Sequence, residues 1–183
     1  MSKVNWGLKS MEYAIENEYL IVTVTTWGAQ VKSVVRKFDD VEHMWQADKS
    51  VWGYHAPILF PHTGKVVDDL IETKGEVYQA KQHGFARLME HTLVRQTEDT
   101  IVMELRSSEE TLRIFPYAFR LVSTFTLDGD TLHHKLTVEN WDAEKLYFGI
   151  GYHPAFTVPF DDEHTLSDYE LRFSEPESPL CIN

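Results

Sequence analysis

The sequence predicts an all-β fold, a large twisted antiparallel β-sandwich, and three observations carry that expectation. Stretches of alternating apolar and polar residues recur at short spacing, two of them flank a tight Asp-Gly turn, and helical periodicity is nearly absent. No repeat of fixed length and no low-complexity segment interrupts the 183 residues, so residues 1–183 are expected to form a single domain.

Taken in order, Glu18 to Thr26 alternates as a strand, Trp27-Gly28-Ala29 breaks it, and Gln30 to Phe38 resumes with Val31, Ser33 and Val35 expected on one face. Asp39-Asp40 is the next turn. Gly53 to Gly64 carries Ala56-Pro57-Ile58-Leu59-Phe60-Pro61, whose two prolines exclude a central helix and predict an extended, buried crossing. Glu76 to Lys81 reads as a short strand ahead of a glycine-marked turn at His83. His91 to Gln96 and Thr100 to Arg106 are strands joined at Glu98-Asp99, and Ser107 to Glu110 has the spacing of a capping box that opens one short helix. Phe115-Pro116 ends that helix. Phe119, Leu121, Ser123, Phe125 and Leu127 then alternate along a long strand, and Asp128-Gly129 turns it into Thr131 to Glu139. On the returning strand Leu132, His134, Leu136 and Val138 share one face and His133, Lys135, Thr137 and Glu139 the other. Leu146 to Ile150 reads as a buried strand, Tyr169 to Phe173 as a last strand, and Ser174 to Asn183 as a loop-like tail.

Composition narrows the function. The chain is 43% hydrophobic and 13% aromatic, which favours a packed core, and no apolar run approaches 18 residues, so no membrane span is expected. The N-terminus lacks the apolar stretch of a signal peptide, and the single Cys181 has no internal disulfide partner; both point to the cytoplasm. The formal net charge of −12 opposes nucleic acid, and Val31 to Lys37, with three bases, is too thin a basic patch to offset it. The same field disfavours highly phosphorylated ligands and is indifferent to neutral ones such as free sugars.

The stretch Gly149-Ile150-Gly151-Tyr152-His153-Pro154-Ala155-Phe156 sets a histidine at a strand end, before a proline that biases it towards extended backbone. A second histidine, His83, stands in Gln82-His83-Gly84-Phe85-Ala86-Arg87. On residue type alone each histidine is more often structural or solvated than chemical. Arg87 has two equal readings, a contact to a ligand hydroxyl or a pair with an acid beneath the turn. Trp52, Phe85 and Phe156 either stack on a ligand or fill core, and core is the more frequent use. Nine histidines raise the question of metal, but there is no His-Glu-x-x-His run, and His133 and His134 point to opposite faces, so no metal site is expected. Nor is there a nucleophile motif of the Gly-x-Ser-x-Gly kind.

The ordered set Gly28-Ala29, Trp52-Gly53, Ala56 to Pro61, His83 to Arg87, Phe115-Pro116-Tyr117 and Gly151 to Phe156 resembles the aldose 1-epimerase (galactose mutarotase-like) family, particularly its LacX-type branch. Each motif alone is weak, and their order is specific. The resemblance implies a β-sandwich that binds a free hexose such as galactose or glucose in an open cleft and interconverts its anomers without a cofactor. It implies that His153 is the general acid on the ring oxygen and that His83 helps hold the sugar. Lys65 falls where the family has a sugar-binding arginine, and it replaces a planar fork of donors with a point charge. Arg87 and Phe156 are the further substrate-binding candidates. The family's general-base glutamate and a sugar-binding aspartate have no matching position here, so the chain is expected to be C-terminally shortened, with open sheet edges that favour homo-oligomers. A sugar-binding module without catalysis, a purely structural β-domain and a hexose-6-phosphate epimerase are the alternatives; the last needs a basic pocket, of which the charge gives no sign.

Overall fold

A computed structural model describes residues 10–176, so Cys181 and both chain ends lie outside the described residues. It contains twelve strands and one short helix. They are β1 (Glu12–Glu16), β2 (Leu20–Thr25), β3 (Gln30–Arg36), β4 (Val41–Glu42), β5 (Ile58–Leu59), β6 (Leu70–Thr73), β7 (Glu76–Gln79), β8 (Thr92–Gln96), β9 (Thr100–Arg106), α1 (Glu109–Leu112), β10 (Phe119–Asp128), β11 (Thr131–Asn140) and β12 (Gly151–Tyr152). One antiparallel sheet runs β1-β2-β3-β4 and a second runs β11-β10-β9-β8, with two small ladders, β12-β5 and β6-β7, beside them. The all-β sandwich expected from the alternation is the architecture found.

The two large sheets bury their alternating faces against each other. Ile15, Leu20, Val22, Val24 and Val31 from the first meet Ile101, Met103, Leu105, Leu121, Phe125 and Leu127 from the second in one cluster. Backbone and side-chain bonds tie the layers at one end: Glu16 N–H donates to the Glu98 carbonyl (3.2 Å) and Gln96 Nε2 to the Ala14 carbonyl (2.7 Å). The long hairpin β10–β11 forms in the expected register, Asp128 opposite Thr131, with Gly129 at positive φ in the turn.

Several elements differ from the sequence expectation, each for a local reason. Val31, Ser33 and Val35 do not share a face. Thr23 pairs with Ser33 but Val24 with Val31, which leaves Lys32 as an extra residue, and beyond this bulge it is Val34 that packs on the core. The cap of α1 is Ser108, whose Oγ accepts from Thr111 N–H while Thr111 Oγ1 accepts from Ser108 N–H, so the capping box begins one residue later than its Ser-Glu spacing suggested. Ser107 instead receives Phe119 N–H. Leu146 to Ile150 is not a buried strand: Tyr147 is 66% exposed and Phe148 44%. Tyr169 to Phe173 forms no strand, and Leu171 and Phe173 are exposed after a single 3-10 turn at Leu166–Asp168. The strands β1, β4 and β6 were not expected, being short and weakly alternating.

The crossing at Ala56 to Pro61 is extended and buried as expected, and residues 149–157 run antiparallel beside it. Gly149 N–H donates to Pro61 O (2.8 Å), β12 pairs with β5, His153 N–H donates to Pro57 O (3.1 Å) and Ala155 N–H to His55 O (2.9 Å). On its other side this segment meets residues 43–45, with Trp45 N–H donating to Ala155 O (3.0 Å) and Thr157 N–H to His43 O (2.9 Å). This crossing delivers His153.

Candidate functional site

His153 leaves the 149–157 segment on the face opposite Tyr152, Pro154 and Phe156, as side-chain alternation requires. Its ring lies 4.8 Å from that of Trp52, and Trp52 in turn lies 5.7 Å from Tyr54. Residues 52 and 54 are two apart on an extended stretch, so they form one aromatic wall.

The second histidine comes from a turn made rigid by close backbone approach. Gly84 sits at φ 68 and a Cβ there would stand 2.1 Å from the Phe60 carbonyl oxygen, so no larger residue fits. That same oxygen accepts Phe85 N–H (2.9 Å) and Ala86 N–H (3.2 Å). His83, itself at φ 66, is clamped to the segment after Pro61 by two reciprocal bonds: its N–H donates to Gly64 O (2.9 Å), and its Nδ1 accepts Gly64 N–H (3.0 Å). Burial, followed by the positive field of Arg87 and the neighbouring His153 and His62, holds the His83 imidazole below its ordinary pKa. The rings of His83 and His153 are 6.4 Å apart.

Arg87 follows in a 3-10 turn, Ala86–Leu88. Its guanidinium stacks on Tyr54 at 5.0 Å and donates to the Gln82 carbonyl (3.0 Å), so neither of the expected partners, an acid beneath the turn included, holds it. Its Nε is buried without a partner. Lys65 is exposed, one residue past the Gly64 that clamps His83. His62 lines the other flank, its Nε2 2.8 Å from the Lys81 carbonyl.

The structure therefore brings together His83, His153, Trp52, Tyr54 and Arg87, with Lys65 at the margin. Phe156 stands elsewhere. It lines a groove of about 760 Å³ between the sheets together with Val34, Met44, Leu132, His134 and Tyr152. Phe85 is core, packed against Phe60, Phe115 and Phe119. Among the described residues no three His, Cys, Asp or Glu side chains converge to hold a metal ion. Tyr54 escaped the sequence reading; its spacing of two from Trp52 was the available signal. The roles of Gly64 and Gln82 depend on contacts across about twenty residues or on backbone atoms and leave no mark in side-chain pattern.

A two-sheet β-sandwich that presents a pair of imidazoles beside an aromatic wall defines a class of open-cleft β-sandwich proteins. The aldose 1-epimerase family model matches residues 11–180, and the chain belongs to that family. The plasmid and chromosomal LacX proteins of Lactococcus lactis subsp. lactis are each 36% identical over 175 residues, covering 92% of this chain and 58% of theirs. Among solved structures, a galactose mutarotase related enzyme from Lactobacillus acidophilus superimposes with a TM-score of 0.84 at 36% identity, covering 86% of this chain and 53% of that one. A galactose mutarotase-like protein from Lactobacillus casei gives 0.79 at 33% identity, with 84% and 52% coverage. The chain thus spans little more than half the length of the relatives it matches. No helix among the described residues is long and apolar enough to cross a membrane.

Proposed function

We propose that this chain binds a free hexose, galactose or glucose, between His83 and His153 and serves its α/β interconversion in the cytoplasm. The observation that carries this reading is the pair of imidazoles 6.4 Å apart beside Trp52, in a chain whose family is aldose 1-epimerase. Mutarotation needs a base to take the anomeric hydroxyl proton and an acid to protonate the ring oxygen; the C1–O5 bond breaks, the carbonyl rotates, and closure gives the other anomer. His153 is the acid in this scheme. His83, in its neutral form, helps hold the sugar. Lys65 and Arg87 contact hydroxyls at the rim, and Phe156 stays a substrate contact only if the sugar reaches the inter-sheet groove. No cofactor enters the chemistry.

The base is the weak point. His164–Asp161 is the one histidine–carboxylate pair among the described residues, far along the chain from the cleft histidines, and this favours a second reading in which the chain binds sugar without turning it over. Polarimetry of freshly dissolved α-D-glucose and α-D-galactose separates the two. Catalysis requires a rate above buffer that His153→Ala lowers by about 10²- to 10⁴-fold. Calorimetric binding of galactose with no rate above buffer leaves the binding module; no binding and no rate removes both.

A further inference from the structure

We infer that His91 is a positioning residue for the turn that carries His83 and Arg87, an inference that rests on the hexose reading for its functional meaning but not for its geometry. His91 is only 1% exposed, at a position where a leucine or phenylalanine would satisfy the core. Its imidazole instead makes one directional bond. Nε2 lies 3.1 Å from the Ala86 carbonyl, and because a carbonyl only accepts, the ring must carry its proton on Nε2. Nδ1 is then a buried acceptor without a partner. A buried ring that leaves one nitrogen unsatisfied costs free energy, so the bond it does make has to offset that loss.

The bond reaches the middle of the functional turn. Ala86 lies between His83 and Arg87, and its N–H is already held by Phe60 O, so the His91 donor fixes the opposite end of the same residue. His91 is anchored in its turn to the first sheet: its backbone N–H donates to Thr26 O (2.8 Å), while Gly28 N–H donates to Met89 O (2.8 Å). Gly28 allows the close approach, since a Cβ there would stand 2.8 Å from the Arg87 carbonyl oxygen. The end of β2 thereby sets where Arg87 stands relative to His83.

The test reads His83 rather than stability. In the wild-type protein, long-range ¹H–¹⁵N correlation should find the His91 proton on Nε2. In His91→Phe, which keeps a ring but no donor, Arg87 shifts and the NMR titration midpoint of His83 rises towards that of a free imidazole, while galactose affinity falls roughly tenfold. His91→Gln, which restores a donor, should recover both. A proton on Nδ1 in the wild type, or a folded His91→Phe with the His83 midpoint unmoved, overturns the assignment. The tautomer measurement needs no variant and decides alone if His91→Phe does not fold. If galactose binds neither protein, the hexose reading fails while the His83 midpoint still settles the role of His91.

Discussion

At the scale of single residues, two buried or clamped imidazoles give opposite kinds of information. His83 accepts Gly64 N–H at Nδ1, so protonating it breaks that bond and removes the neutral form proposed to hold the sugar. Because its pKa is lowered, galactose affinity should stay flat from pH 8 through the ordinary imidazole range and fall only below it; a fall centred at pH 6.5 or higher, seen by calorimetry, would refute the clamp. His91 affects the whole fold. Burial pushes its pKa down from 6.5 to about 4. The unfolded chain then binds the extra proton first, so stability is full above about pH 6.5 and drains away as pH falls towards about 4. The loss from this residue is up to about 3 kcal/mol. Urea unfolding at pH 7 and pH 4.5 measures it, and His91→Phe should flatten that slope. Gly84→Ala tests the backbone crossing: with a Cβ 2.1 Å from Phe60 O and φ at 68, the substitution should destabilise by at least about 2 kcal/mol, again by urea midpoint.

At the scale of elements, the hairpin β6–β7 is held to the second sheet through one carboxylate. Asp142 accepts Ala118 N–H (3.0 Å) and Glu144 N–H (3.0 Å) and pairs with Lys74 Nζ (3.0 Å) at the hairpin turn. The Glu144 and Ala118 amides, then Lys74, hold its pKa down at about 2. Its contribution is therefore present above about pH 3.8 and lost as pH falls through about 2, below the window in which His91 acts. Asp142→Ala should speed amide exchange in Leu70–Gln79 while leaving β9 and β10 protected; uniform exchange across both would show that the hairpin does not depend on this tie. Legibility in the sequence followed the same local logic. In β10, Phe119 to Leu127 keeps strict alternation and its register was readable. In β3 the bulge at Lys32 inverts the pattern midway, and nothing in a hydrophobicity string marks an extra residue. Leu146 to Ile150 looks like a core strand because an apolar run says nothing about whether another surface covers it.

At the scale of the molecule, the groove lined by Phe156, Tyr152, Leu132 and Val34 and the unpaired edge of β11 leave apolar surface open among the described residues. The chain alone should self-associate, giving a light-scattering mass above 21.3 kDa that Phe156→Lys shifts towards that value; a monomer that the substitution leaves unchanged would count against it. The two site histidines were legible because glycine and proline beside them mark special backbone. Their spacing was not, since it depends on a crossing that joins residues nearly a hundred apart. That crossing also guards against misregistration. Pro57 and Pro61 have no N–H, so near these residues the 55–61 segment can accept bonds but not return them, and the donors must come from residues 149–157. A slip of one residue that brought Pro154 opposite Pro57 would leave that carbonyl without a donor, and it would turn the imidazole into the groove and a phenol or proline ring into the cleft. The proline that follows His153 thus penalises the one error that would yield a folded but chemically blank protein.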